Sequence, residues 1–343
     1  MHSKRTSKLT RLAGLSLAAA ATAGTGQVAT AQDAVDSLDE VVVTTARQRE
    51  EALQDVPASI TAITSDTLEA ANVQRAGDFI RLTPGVSLVQ SAEVADGQVN
   101  IRGINGARDA ENSFALIIDG ILITNPAALN REYSDLKQME IVKGPQGALY
   151  GRNAASGAII VTTTKPGQEF SGTAKVGYGE DNTITGAFSF GGPLSDRAGW
   201  KLGADYRKTD GFFRNITIGD KVVDDYEGFN VSGRLVFEPS DSSTLDIKAR
   251  YGEVDAAAIA FNAAFQLPGF TFSGLPNAQL FNEDVNTHNF EFVNNIDPTN
   301  DQETLEVSAN YEQELSFGKL TAWTLYSQVD NSFGTDGTSG AFN

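Results

Sequence analysis

From about residue 170 the chain alternates apolar and polar positions with the period of two that a strand shows when its faces meet different surroundings. Phe229, Val231, Gly233, Leu235 and Phe237 fall on one face of a strand, with Asn230, Ser232 and Arg234 on the other. Leu245, Ile247, Ala249 and Tyr251 oppose Asp246, Lys248 and Arg250, and Leu305, Val307, Ala309 and Tyr311 oppose Glu306, Ser308, Asn310 and Glu312. Runs at 171 to 179, 183 to 191, 199 to 209 and, less cleanly, 319 to 330 bring the count to about seven strands. Their connections are unequal: Glu180 to Asn182, Pro193 to Arg197, Pro239 to Ser242 and Ser316 to Lys319 are short, while 210 to 225 and 253 to 303 are long. An outer-membrane β-barrel has this pattern, because a bilayer tolerates only backbone paired around a closed ring. A soluble antiparallel sandwich shares the period. Charges confined to one face and aromatics near strand ends (Tyr178, Trp200, Tyr206, Phe237, Tyr251, Tyr311) favour the barrel.

Residues 56 to 165 have a different texture, that of a compact α+β domain. Ser59 to Thr64 alternates as a strand, and Ser65 is placed to N-cap a helix over Asp66 to Asn72. A second helix is expected over Arg75 to Leu82, ending before Pro84-Gly85. Strands follow at Val86 to Gln90 and Val99 to Arg102, and Asp119-Gly120 joins Leu116–Ile118 to Ile121–Ile123 as a hairpin turn. Met139 to Lys143 and Ala158 to Thr164 read as strands around a Gly-rich turn, Gly144 to Asn153. That turn lacks the Lys-Ser or Lys-Thr of a phosphate-binding loop, so its glycines are read as serving tight turns and close packing.

Residues 1 to 31 read as a signal peptide: Lys4, Arg5, Lys8 and Arg11 precede the apolar stretch Leu12 to Ala21 and the small-residue site Ala29-Thr30-Ala31. Its removal leaves 343 − 31 = 312 residues and changes the net charge from -18 to -18 − 4 = -22. So acidic a chain repels phosphate backbones, which makes nucleic acid a poor partner. The absence of Cys and the presence of only two His, His2 and His288, exclude disulfides, thiolate chemistry and His-rich metal centres. Neither an enzyme nor a cofactor or metal site is expected, and Ser156 lacks the G-x-S-x-G frame of a hydrolase. Between the signal and the α+β domain, residues 32 to 55 form a polar leader interrupted by Val41-Val42-Val43-Thr44-Thr45, suited to joining another protein's sheet edge or to forming an ordinary first strand.

Four segments resemble the TonB-dependent outer-membrane receptors. Asp39-Glu40-Val41-Val42-Val43-Thr44, within 38 to 45, resembles a TonB box. Asp55-Val56-Pro57-Ala58-Ser59-Ile60 resembles the start of the plug domain, and Ile101-Arg102-Gly103-Ile104 its Ile-Arg-Gly motif. Glu140 to Ile159, which contains Gly144-Pro145-Gln146-Gly147-Ala148-Leu149-Tyr150-Gly151, matches the longest plug motif almost throughout. The resemblance implies a plug over 56 to 165 and the first part of a transmembrane barrel over 166 to 343.

The same resemblance implies a function. A receptor in the cell outer membrane, its box in the periplasm, takes up a bulky scarce nutrient with energy delivered by TonB and its inner-membrane complex. A ferric siderophore is the first expectation, with haem, cobalamin or a saccharide as alternatives. A binding protein or adhesin that does not transport is the rival of another class. Asp39, Glu40, Val41, Val42, Val43 and Thr44 are the expected TonB-binding strand. Arg102, Lys143 and Arg152 are the expected residues holding the plug in the barrel, Lys143 standing where the family more often has an Arg, whose bidentate fork Lys lacks. Asn105, Arg108, Asp109, Asn125 and Arg131 are candidate ligand contacts on plug loops 105 to 112 and 124 to 131. Phe261, Phe265, Phe270 and Phe272 join them on a long loop, where His288 is expected to be an ordinary loop residue.

A plugged transporter barrel has 22 strands, so about seven make an open, curled sheet, and a receptor about twice as long is expected.

Overall fold

The computed structural model describes residues 42–43, 51–52, 56, 58–73, 75–90, 94, 97–106, 111–125, 128–129, 131–215, 218–219, 221–222, 224–257, 291–292 and 296–334. The expected signal peptide, Asp39 to Val41, Thr44, Arg108, Asp109, the four loop phenylalanines and His288 lie outside them. In chain order the first elements are β1 (Val42–Val43), β2 (Glu51–Ala52), β3 (Ser59–Thr64), α1 (Ser65–Ala70), α2 (Ala76–Arg81), β4 (Val86–Gln90), β5 (Gly97–Ile101), β6 (Phe114–Ile118), β7 (Ile121–Ile123), β8 (Leu136–Lys143), α3 (Gly147–Tyr150) and β9 (Gly157–Thr163). β1 pairs antiparallel with β2, Val42 opposite Ala52.

The α+β domain is built on a five-stranded sheet in the order β3-β8-β9-β6-β7, mixed in direction because β6 runs parallel to β9. Burial on both faces explains the unbroken apolar runs of β6 and β9. One face packs Leu116, Ile141 and Ile159 under Leu68, Phe79 and Ile80 of α1 and α2. The other buries Ala115, Val142, Ala158 and Ile160 against Val56 and Ala154. α1 begins one residue earlier than the sequence predicts, with Thr64 at its N-cap, so Ser65 lies inside the first turn and its hydroxyl meets Asp66 Oδ1 (3.3 Å) instead of capping. At α2 the Arg75 N–H donates to Asp78 Oδ2 (3.2 Å), which starts the helix at Ala76. Of the turn glycines, Gly144 and Gly151 take φ of 106° and 76°, the tight-turn role expected of them, and beyond the turn a Cβ on Gly157 would lie 2.2 Å from the Val142 carbonyl oxygen.

Beyond residue 170 come β10 (Ser171–Tyr178), β11 (Ile184–Ser195), β12 (Ala198–Thr209), β13 (Arg214–Asn215), β14 (Lys221–Val222), β15 (Tyr226–Ser240), β16 (Ser243–Ala256), β17 (Glu291–Phe292), β18 (Thr299–Leu315) and β19 (Gly318–Gly334). Seven of them form one antiparallel sheet, β10-β11-β12-β15-β16-β18-β19, in which β10 and β19 are the edges. The register carries the alternation across strands: Phe190, Leu202, Gly233, Ala249, Val307 and Tyr326 form one row of the outward face. The inward face carries Lys201, Arg234, Lys248 and Ser308 side by side.

Three details differ from expectation. β16 and β18 run on to Ala256 and back to Thr299, so the long connection is shorter than 253 to 303. The turn 179 to 183 lies at the same rim as the long connections, while 196–197, 241–242 and 316–317 form the opposite rim. β19 alternates poorly because Leu325, on its inward face, packs against the apolar core of the α+β domain.

Candidate functional site

The chemistry of the chain concentrates where the α+β domain meets the inward face of the long sheet. The Asp119-Gly120 turn between β6 and β7 has the expected primed form, with φ of 48° and 83°. It aims the Asp119 carboxylate at the end of β9, where the Thr163 N–H (2.8 Å) and hydroxyl (2.7 Å) donate to it, and Lys248 of β16 donates to the same carboxylate. Next to it, Arg234 of β15 donates to the Thr163 hydroxyl (2.9 Å) and to the Thr164 carbonyl (3.1 Å). Its other nitrogens grip Asp246 at 2.9 and 2.5 Å, a bidentate fork that fixes the guanidinium. Lys201 of β12 donates to the Thr164 hydroxyl.

One row toward the long-connection rim, Arg250 donates to the Glu132 carbonyl (2.9 Å). Arg131 pairs with Glu306 of β18 and donates to the Tyr133 hydroxyl (3.0 Å). Arg131 and Arg250 both stand over the Tyr133 ring, at 5.5 and 5.6 Å from its centre. A cavity of about 90 Å³ lies among these groups, lined on one side by Ile118, Ile121 and Ile123 and on the other by the cations of the sheet.

Burial pushes the Asp119 carboxyl up, but Lys248, Arg234 and the hydrogen bonds from Lys248 and Thr163 outweigh it and hold it below the usual carboxylate range. Glu132 and Asp135 go the other way, because burial raises both and the nearby cations compensate only in part. Neither carboxylate oxygen of Glu132 has a hydrogen-bond partner among the described residues, although Arg75 Nε lies 3.7 Å away.

The residues expected to hold the plug make the following contacts among the described residues. Arg102 donates to the Lys143 carbonyl (3.4 Å), Lys143 to the Pro84 carbonyl (2.7 Å), and Arg152 pairs with Glu111. All three contacts stay inside the α+β domain and are exposed, so they stitch its own turns. Arg131, expected as a ligand contact, forms a buried pair with Glu306 of the wall. Asn125 is half-buried near Arg131 and shares with it the lining of a smaller cavity of about 30 Å³, whereas Asn105 is exposed beyond β5. At the rim, Phe212 and Phe213 stack at 4.6 Å, and their N–H groups both donate to Asp224 at 2.8 Å. Asp119, Thr163, Lys201, Lys248 and Glu306 were not singled out from sequence; the available signal was charge at inward positions of an otherwise neutral alternation.

The TonB-dependent receptor plug domain family matches residues 52–158, which span the five-stranded sheet and its helices. Residues 52–158 form a TonB-dependent receptor plug domain. The chain is 28% identical over 172 residues to the pesticin receptor of Yersinia pestis, covering 49% of this chain and 25% of that one. It is 31% identical over 186 residues to the vitamin B12 transporter BtuB of Vibrio vulnificus, covering 51% of this chain and 29% of that one. Among solved structures, the ferric yersiniabactin uptake receptor FyuA of Yersinia pestis superposes with a TM-score of 0.68 at 19% identity, over 82% of this chain and 42% of that one. The chain thus spans about a quarter to a third of the length of these curated relatives. In the family's terms the α+β domain is the plug, and the seven-stranded sheet is wall of the barrel fold.

Proposed function

We propose that this receptor takes up a bulky, scarce nutrient across the outer membrane with energy supplied through TonB, and that the nutrient is a ferric siderophore. The observation that carries the reading is a plug sheet fastened by buried ion pairs to the polar face of an antiparallel wall whose opposite face is apolar. An apolar outward face suits hydrocarbon, and a plug across the lumen requires work to move it. The valine-rich segment 39–44 would receive that work by adding as a strand to TonB. Several relatives bear the names of ferric or siderophore receptors, and no enzymatic step belongs to the reading. The vitamin B12 relatives support cobalamin as a second cargo class.

Removing residues 38 to 45 tests the mechanism. Energised uptake of the cargo is expected to disappear while surface binding stays unchanged, as measured with a radiolabelled ferric siderophore panel and cyanocobalamin on whole cells. Surface binding with no uptake for the deletion to remove would return the chain to the class of binding proteins or adhesins, and uptake that survives the deletion would overturn the role of TonB.

A further inference from the structure

The lining of the cavity between plug and wall is unbalanced in charge. The cavity between them is lined by five cations, Arg131, Lys201, Arg234, Lys248 and Arg250. Three carboxylates, Asp119, Asp135 and Glu306, line it with them. Of the four wall cations, only Lys248 meets a plug carboxylate directly; Arg234 and Arg250 are met by plug carbonyls and Lys201 by a hydroxyl. Fastening a plug does not demand this: neutral hydrogen-bonding partners do so without the desolvation that buried charge costs. The four cations also sit on three neighbouring strands, three of them in a single register row and Arg250 in the next. When this face of the plug moves away, its partial charges go with it. The wall then presents these cations to the opened space, with Asp205, Asp246 and Glu306 as its nearest carboxylates.

We infer that the cavity is an anion site on the path of the cargo: the plug groups occupy the wall cations at rest, and negatively charged oxygens of the cargo replace them in transit. The inference rests on the uptake reading and narrows its substrate to anionic chelates. In the low dielectric of a narrow passage, these cations favour a trianionic ferric tris-catecholate over an uncharged ferric trihydroxamate or cyanocobalamin.

The test uses the whole receptor in its own cells, with those three compounds as probes, and compares wild type, K201Q/K248Q and the conservative K201R/K248R. Wild type is expected to take up the tris-catecholate fastest. K201Q/K248Q is expected to slow that uptake by about tenfold or more while leaving surface binding and any uptake of the uncharged probes in place, and K201R/K248R to restore it. Equal slowing of charged and uncharged probes would reduce the cations to a structural role and overturn the inference. So would a wild type that imports an uncharged probe faster than the anion. Loss of TonB dependence in the wild type, by contrast, would overturn the uptake reading itself, and the anion site with it.

Discussion

At the scale of single residues, the plug–wall face separates carboxylates that gain from their surroundings from those that lose. The pKa of Asp119 is depressed in the folded protein, so its contribution to stability is present above its ordinary value of 3.8 and fades as pH falls through the folded value. Asp119→Asn is expected to weaken plug docking by about 1–3 kcal/mol at neutral pH, with the difference from wild type closing in acid, as read by thermal melts at several pH values. Glu132 has the opposite sign: its raised pKa means that the ionised form costs stability once pH climbs above its ordinary value of 4.5. Glu132→Gln should therefore melt no lower than wild type at neutral pH and show a flatter pH profile; a drop at pH 7 alone would show that Arg75 depends on that charge. Arg131→Ala leaves Glu306 buried without its partner, a change expected to cost about 3–5 kcal/mol, whereas a ligand-contacting arginine on an exposed loop would leave the melting temperature unchanged.

At the scale of elements, most of the architecture was legible. The period-two runs located all seven wall strands, and the Asp-Gly turn located the β6–β7 hairpin. What stayed hidden depended on partners far away in sequence. The ends of β16 and β18 are fixed by pairing with each other, Ala256 opposite Asn300, rather than by any local stop signal. β19 broke the alternation because its inner face meets apolar core rather than polar lumen, which no window within the strand reveals. The buried contacts between plug and wall were hidden for the same reason: Arg102 and Arg152 lie in motifs and their described contacts are within the plug, whereas Lys248 reaches Asp119 from 129 residues away. The tight-turn reading of Gly144 and Gly151 was local and held. Gly157→Ala drives a methyl into the Val142 carbonyl between β8 and β9, and is expected to abolish folded receptor in outer-membrane fractions; wild-type levels would mean that the strands can part at that point.

On the scale of the whole molecule, the length of the last two described strands sets how far the wall rises above an apolar band, and under the proposed uptake where a cargo would first meet it. β18 and β19 each run for 17 residues, which at about 3.4 Å per residue is roughly 58 Å of strand. Tilted by about 40°, such a strand climbs roughly 44 Å, against an apolar band of about 25 Å. The outward face divides accordingly. Leu305 and Val307 belong to the apolar band, and toward the long-connection rim Glu253, Asp301, Glu303 and Asp330 take over in adjacent positions. Carboxylates cannot rest in hydrocarbon, so the stretch of β18 from Thr299 to Thr304 stands as a parapet roughly 15 Å above the lipid tails. Anything bound at its top, beside Phe212 or Asp224, is held among the sugars and counterions of the cell surface. Under the proposed uptake, the protein would therefore begin to sort its cargo in water, about a third of a strand before the membrane is reached.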